Sequence, residues 1–131
     1  MTLRSNHKQI RRVEGLLNKV NQYAGLNEIQ MHKLMVAVTE AANNAIIHGN
    51  KLNPDKVATI VCDVNPPWIT FTITDEGGGF DPGTVSSPLE QENILKTSGR
   101  GIFLMKTLMD KVDYEVGKDG VRLELKLNIT K

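Results

Sequence analysis

Apolar residues recur at helical spacing twice in the first part of the chain, then at alternate positions in two later pairs of short runs. Ile10, Val13, Leu16, Leu17 and Val20 lie three or four apart, which predicts a helix with one buried side. Ser5 or Asn6 can cap its start, and Gly25 is where it is expected to stop. A second, longer helix is expected after Asn27. Its stripe is Met31, Leu34, Met35, Val38, Ala41, Ala42, Ala45 and Ile46, and it should end at His48 and Gly49. Strict alternation then takes over. Residues 57–64 and 68–74 read as two strands joined through Asn65, Pro66 and Pro67, with Ile69, Phe71 and Ile73 alternating with threonines. A third helix is expected to start directly on Gly101, marked by Ile102, Met105, Leu108 and Met109. Residues 112–116 and 121–129 close the chain as a hairpin, with Val121, Leu123, Leu125, Leu127 and Ile129 on one face.

Helices gathered early and strands in hairpins predict a two-layer α+β sandwich, with helices on one face of a mixed, largely antiparallel sheet. Between the strands and the third helix, residues 81–98 lose all periodicity and hold Pro82, Gly83, Ser86, Ser87 and Pro88. A loop of that length in a small domain is commonly a lid.

Composition narrows the classes. The 131 residues suit one domain over residues 1–131, and 40% hydrophobic with 24% charged residues is the balance of a globular chain. No apolar run approaches the roughly 20 residues of a membrane span. The opening residues do not resemble a secretory leader, so a cytoplasmic address is expected. A net charge of +1 gives no long-range field for direct nucleic-acid binding, although Lys8, Arg11 and Arg12 form a small basic cluster. The single cysteine, Cys62, lies in an apolar run and is expected to be a buried thiol.

Three separated segments hold the candidate chemistry. Glu40 and Asn44 are four apart and project from the same side of the second helix. That spacing describes a solvated helix face equally well. It also describes a carboxylate that can orient or deprotonate a hydroxyl beside an amide oxygen able to ligate magnesium, when phosphates and water complete the shell. Asp75 follows a strand and precedes Gly77 and Gly79. The glycines let backbone approach a flat ring or a phosphate, and an acceptor-only carboxylate suits the exocyclic amine of adenine. A tight surface turn is the alternative. Gly99, Arg100 and Gly101 stand where a helix begins, so backbone amides there can face phosphate oxygens. Arg100, and Lys96 from the lid, can offset phosphate charge or remain solvated.

The order Glu40-x-x-x-Asn44-Ala45, Asp75-x-Gly77-x-Gly79, Gly99-x-Gly101 resembles the histidine-kinase-like ATPase (Bergerat) fold of histidine kinases, type II topoisomerases and MutL. Within it, the run from Glu40 to Gly49 and the run from Ser98 to Asp110 resemble the anti-sigma-factor serine kinases of the RsbW and SpoIIAB type. The resemblance implies ATP with Mg2+ under a lid, Glu40 as catalytic carboxylate, Asn44 as magnesium ligand and Asp75 as adenine contact, with Gly77, Gly79, Gly99 and Gly101 shaping the pocket. It implies phosphoryl transfer to a serine of a STAS-type anti-anti-sigma protein, retention of a sigma factor and a homodimer. Arg12 resembles a family arginine at the partner surface. One departure is Gly120-Val121, where the family commonly has Gly-Thr. Two rival readings remain at this level: a binding-only regulator that transfers nothing, and the catalytic piece of a sensor histidine kinase. Against the latter, His7, His32 and His48 lack the setting of an acceptor histidine.

Overall fold

Alternation in the sequence becomes a five-stranded sheet in the structure, a computed structural model that describes residues 1–77, 99–117 and 120–130. The strands are β1 (Thr2–Arg4), β2 (Val57–Asn65), β3 (Trp68–Asp75), β4 (Lys111–Gly117) and β5 (Gly120–Asn128). Their order is β1-β2-β3-β5-β4. All four pairings are antiparallel. The expected hairpins are both present, and β3 and β5 meet at the centre with Phe71 opposite Leu125 and Ile73 opposite Leu123.

One face of this sheet is buried. Ala58, Ile60, Ile69, Phe71, Ile73, Leu123, Leu125 and Leu127 share a single core with helix residues that include Val13, Leu17, Leu34, Val38, Ile46 and Met105. The other face is polar, with threonines on β3 and a charged row on β5 in which Glu124 lies 3.5 Å from Arg122 and 3.4 Å from Lys126. Such exposed pairs add little to stability. Cys62 is half-buried rather than enclosed, and its thiol is pushed up to about 11 by burial and then by Asp63 beside it.

The helices are α1 (Arg11–Ala24), α2 (Glu28–Asn43) and α3 (Gly99–Leu108). Neither Ser5 nor Asn6 caps α1 itself: Asn6 caps a 3₁₀ turn, His7–Ile10, that leads into the helix, and α1 begins without a side-chain cap. Gly25 ends α1 in the left-handed region at φ 61°, a conformation that glycine adopts without a Cβ penalty. Asn27 and Gln30 close a reciprocal capping box at the start of α2. The Gln30 side chain also donates to the Ile129 carbonyl at 3.0 Å, fastening α2 to the end of β5.

Two features depart from the sequence reading. β1 was not legible, because three residues are too few to alternate. Its Leu3 is nonetheless fully buried, opposite Ala58. Helix α3 starts at Gly99 rather than at Gly101, so Gly99 and Arg100 belong to its first turn instead of preceding it. Packing of α3 on α2 supplies the stabilisation that glycine withholds. The expected lid over 81–98, with Lys96 in it, lies outside the described residues, as does Gly79.

Candidate functional site

The long helix does not end as a plain α-helix. After Asn43 the chain continues as a π-helical turn, Asn44–Gly49, and the Asn50 N–H reaches back five residues to the Ala45 carbonyl at 2.8 Å. Such turns are rare and concentrate at functional sites. One extra residue in a turn rotates all that follows by roughly 100° relative to α-helical phase. Gly49 is thereby laid against the Asp75 carboxylate at the end of β3, and Asn50 reaches the bend that follows it.

Asp75 is only 6% exposed. Its Oδ1 accepts two backbone hydrogen bonds at 3.1 Å, from Gly77 N–H and from Val121 N–H. Oδ2 accepts none among the described residues. Burial pushes the Asp75 carboxyl above its ordinary value, while the N–H groups of Val121 and Gly77, then the charge of Lys56, pull it back down. A carboxylate held this way has one oxygen spent on fixing its orientation and one left to accept from a ligand.

Three glycines make that arrangement sterically possible. A Cβ on Gly49 would collide with the Asp75 carboxylate, one on Gly77 with the Gly49 carbonyl oxygen, and one on Gly120 with the Asp75 backbone. Gly120 also has φ +141°, which side chains rarely adopt. Replacing Gly77 by Ala is expected to cost about 1–3 kcal/mol of stability, because the atom it meets is backbone with no rotamer to yield. A melting temperature unchanged from the parent chain would show that the bend can open.

Glu40, near the end of α2, and Asn44, the first residue of the π-helical turn, lie upstream of this cluster, more than two turns and more than one turn before Gly49. Both are half-buried. The Asn44 N–H donates to the Glu40 and Ala41 carbonyls, which fixes the two side chains in helical phase. The Asn44 side-chain Nδ2 is buried without a partner, and among the described residues the Glu40 carboxylate takes no hydrogen bond or ion pair. A buried amide with an unmet end normally has one supplied by water, an ion or a ligand. The α3 N-terminus, at Gly99–Gly101, belongs to a helix packed against α2. Its first N–H groups have no intrahelical acceptor. Arg12 stands apart from this group. It is on α1, where Nη1 donates to the Thr2 carbonyl at 2.8 Å and to Gln9 Oε1 at 2.9 Å.

Beyond Asp75, a cavity of about 520 Å³ opens at the end of the β4–β5 hairpin, bordered by Asp75, Val116, Gly117, Gly120, Val121 and Arg122. Its size is within the range of small-molecule sites. Sequence reasoning had marked Asp75 and Gly77 but passed over Gly49, read only as a helix stop, and Gly120-Val121, read only as a departure. Val121 contributes through its backbone N–H, a role that any non-proline residue can fill and that no side-chain motif reports.

Residues 3–127 match the family model of the histidine kinase-like ATPase domain. An anti-sigma F factor of Clostridium botulinum (strain Eklund 17B / Type B) is 35% identical over 105 residues, which is 76% of this chain and 73% of that protein. One from Clostridium beijerinckii is 32% identical, covering 74% of this chain and 70% of the relative. The serine-protein kinase RsbW of Staphylococcus aureus (strain JH9) is 33% identical over 73% of this chain and 65% of its own length. Among solved structures, a histidine kinase domain from the Erythrobacter litoralis EL346 blue-light activated histidine kinase superposes with TM-score 0.56 at 13% identity. It covers 94% of this chain and 64% of the other, and at that identity the likeness concerns the fold alone. With most of its length matched by the family model and with relatives above 30% identity, this chain belongs to the histidine kinase-like ATPase family, in the branch of anti-sigma factors and serine-protein kinases.

Proposed function

We propose that this chain, an ATP-dependent serine/threonine kinase by family, works as the anti-sigma component of a partner switch. It transfers the γ-phosphoryl group of ATP to a serine of a STAS-type anti-anti-sigma protein, and holds a sigma factor when that protein is phosphorylated. One observation supports this reading above the others. A buried carboxylate fixed by two backbone N–H groups, whose second oxygen accepts no bond among the described residues, lies against one end of a π-helical turn whose other end bears half-buried Asn44, its amide nitrogen buried without a partner among those residues.

Asp75 accepts from the adenine amine through Oδ2, and the glycines around it let the ring lie close to backbone. The free N–H groups at the start of α3 face phosphate oxygens, favoured by the helix dipole. Asn44 is the residue that would hold Mg2+, through its side-chain oxygen; the atom without a partner among the described residues is the nitrogen, a donor, so the amide would turn over to offer its oxygen to a cation. Bound there, Mg2+ would supply positive charge against the phosphates. Glu40, one turn away, orients the incoming serine hydroxyl and takes its proton as the new O–P bond forms and the β–γ bridging bond breaks, releasing ADP. Positioning and charge stabilisation account for most of such a reaction. Arg12, exposed on α1, belongs to the partner surface in this reading, and two copies of the chain form the working unit.

Incubation with labelled ATP, magnesium and STAS-type proteins tests the reading. Acid-stable phosphate on a partner serine is the expected product. Acid-labile phosphate would point to a histidine route instead, and nucleotide binding without transfer to any such partner would leave a binding-only regulator. Among the described residues no helix is long and apolar enough to cross a membrane.

A further inference from the structure

Asn50 and Ser5 are among the few buried polar residues in the described part of the chain, 2% and 4% exposed; Asn50 reaches the bend beside Asp75, and Ser5 lies outside the site described above. They bond to each other across 45 residues of chain, Asn50 Nδ2 donating to Ser5 Oγ at 2.9 Å. From there the connection runs both ways. Ser5 Oγ donates to the Lys56 carbonyl at 2.6 Å, and Asn50 Oδ1 accepts the Glu76 N–H at 2.8 Å. Glu76 is the residue between Asp75 and Gly77, and its side chain accepts the Val57 N–H at 2.7 Å.

We propose that Ser5 and Asn50 are positioning residues for Asp75, holding the bend from Asp75 to Gly77 in the shape that lets the carboxylate select adenine over guanine. The inference rests on the reading of Asp75 as the adenine contact. The Gly77 N–H that fixes Asp75 Oδ1 comes from the peptide following Glu76, so its direction depends on where the Glu76 N–H is tied. Asn50 makes that tie, and Ser5 fixes the rotation of the Asn50 amide by offering its nitrogen an acceptor. With Asn50 removed, the bend is released and Gly77 N–H no longer lies on Oδ1. Selection then weakens even though neither Asn50 nor Ser5 touches the base. Of the charged residues beside this bend, Glu76 has its carboxylate held by the Val57 N–H, and Lys56, whose charge acts on Asp75, is tied only through its backbone carbonyl.

Calorimetric titration of the full chain with ADP and with GDP tests the proposal, using the ratio of the two affinities as readout. A merely structural role for Asn50 weakens both nucleotides together and leaves the ratio alone. The positioning role predicts that Asn50→Ala lowers the ADP-over-GDP ratio roughly tenfold, the worth of one good hydrogen bond. Ser5→Ala should lower it in the same direction by a smaller factor, and the double variant should do no worse than Asn50→Ala alone. An unchanged ratio in Asn50→Ala overturns the proposal. If that variant does not fold, Ser5→Ala decides by the same criterion. If the parent chain itself binds ADP and GDP equally, the Asp75 reading fails and this one with it. A parent that discriminates beside variants that also discriminate defeats the positioning role alone.

Discussion

Glu40→Gln leaves ADP affinity within about twofold of the parent chain and slows phosphoryl transfer to a serine by about 10²–10⁴-fold, the usual worth of a positioned general base. The separation of the two effects follows from where the residue stands. Among the described residues Glu40 makes no hydrogen bond or ion pair, so exchanging its carboxylate for an amide breaks none there. It is one turn from Asn44 and more than two turns from Gly49, where the helix meets Asp75. The expected loss therefore falls on the reacting end of the nucleotide and spares the base. Glutamine is isosteric and keeps helix propensity, so a fall in melting temperature is not part of the expectation. Single-turnover transfer beside calorimetry on the same preparation gives both numbers. Transfer at the parent rate would remove Glu40 from the chemistry, and lost ADP binding would make it a binding residue.

Asp75→Asn is expected to weaken ADP by about 3 kcal/mol, roughly a hundredfold, because an amide can present a donor to the donor of the adenine amine inside a buried site. Stability should move the other way or not at all. The amide oxygen can still accept from Gly77 and Val121, and a neutral group escapes the desolvation that raises the Asp75 pKa. The same shift fixes the pH dependence. With the folded-state pKa raised above the unfolded one, the folded chain takes up this proton first as pH falls. Its contribution to stability is therefore fully present below the unfolded pKa and is lost as pH rises through the folded pKa. Nucleotide affinity runs opposite, falling as acid protonates the acceptor. Opposed trends in melting temperature and ADP affinity over the acidic range, both flattened in Asp75→Asn, are the expected pattern. An ADP affinity equal in the two proteins at neutral pH would end the assignment of Asp75 to the base.

Helix and strand periodicities were readable because each reports a buried face that the chain meets locally. The stripe from Met31 to Ile46 and the alternation from Ile69 to Ile73 need no partner to be seen. Caps were readable for the same reason, since Asn27 and Gln30 satisfy each other within one turn. Where a local signal had two readings, packing chose. Gly99 and Arg100 were expected to precede α3, and they belong to its first turn in a helix that packs on α2. β1 has too few residues to signal itself, and exists because β2 offers it an unpaired edge and the core accepts Leu3.

By itself, then, the sequence determined the three α-helices and the four longer strands, the buried faces, the two hairpins and the family to which the motifs point. Only the tertiary structure decided that a π-helical turn brings Gly49 onto Asp75, that Val121 serves through its N–H, and that Ser5 reaches Asn50 across the chain. The physical reason is one of range. Periodicity and capping are satisfied within a few residues, whereas a cradle of three glycines around a carboxylate exists only when segments far apart in sequence are folded into contact.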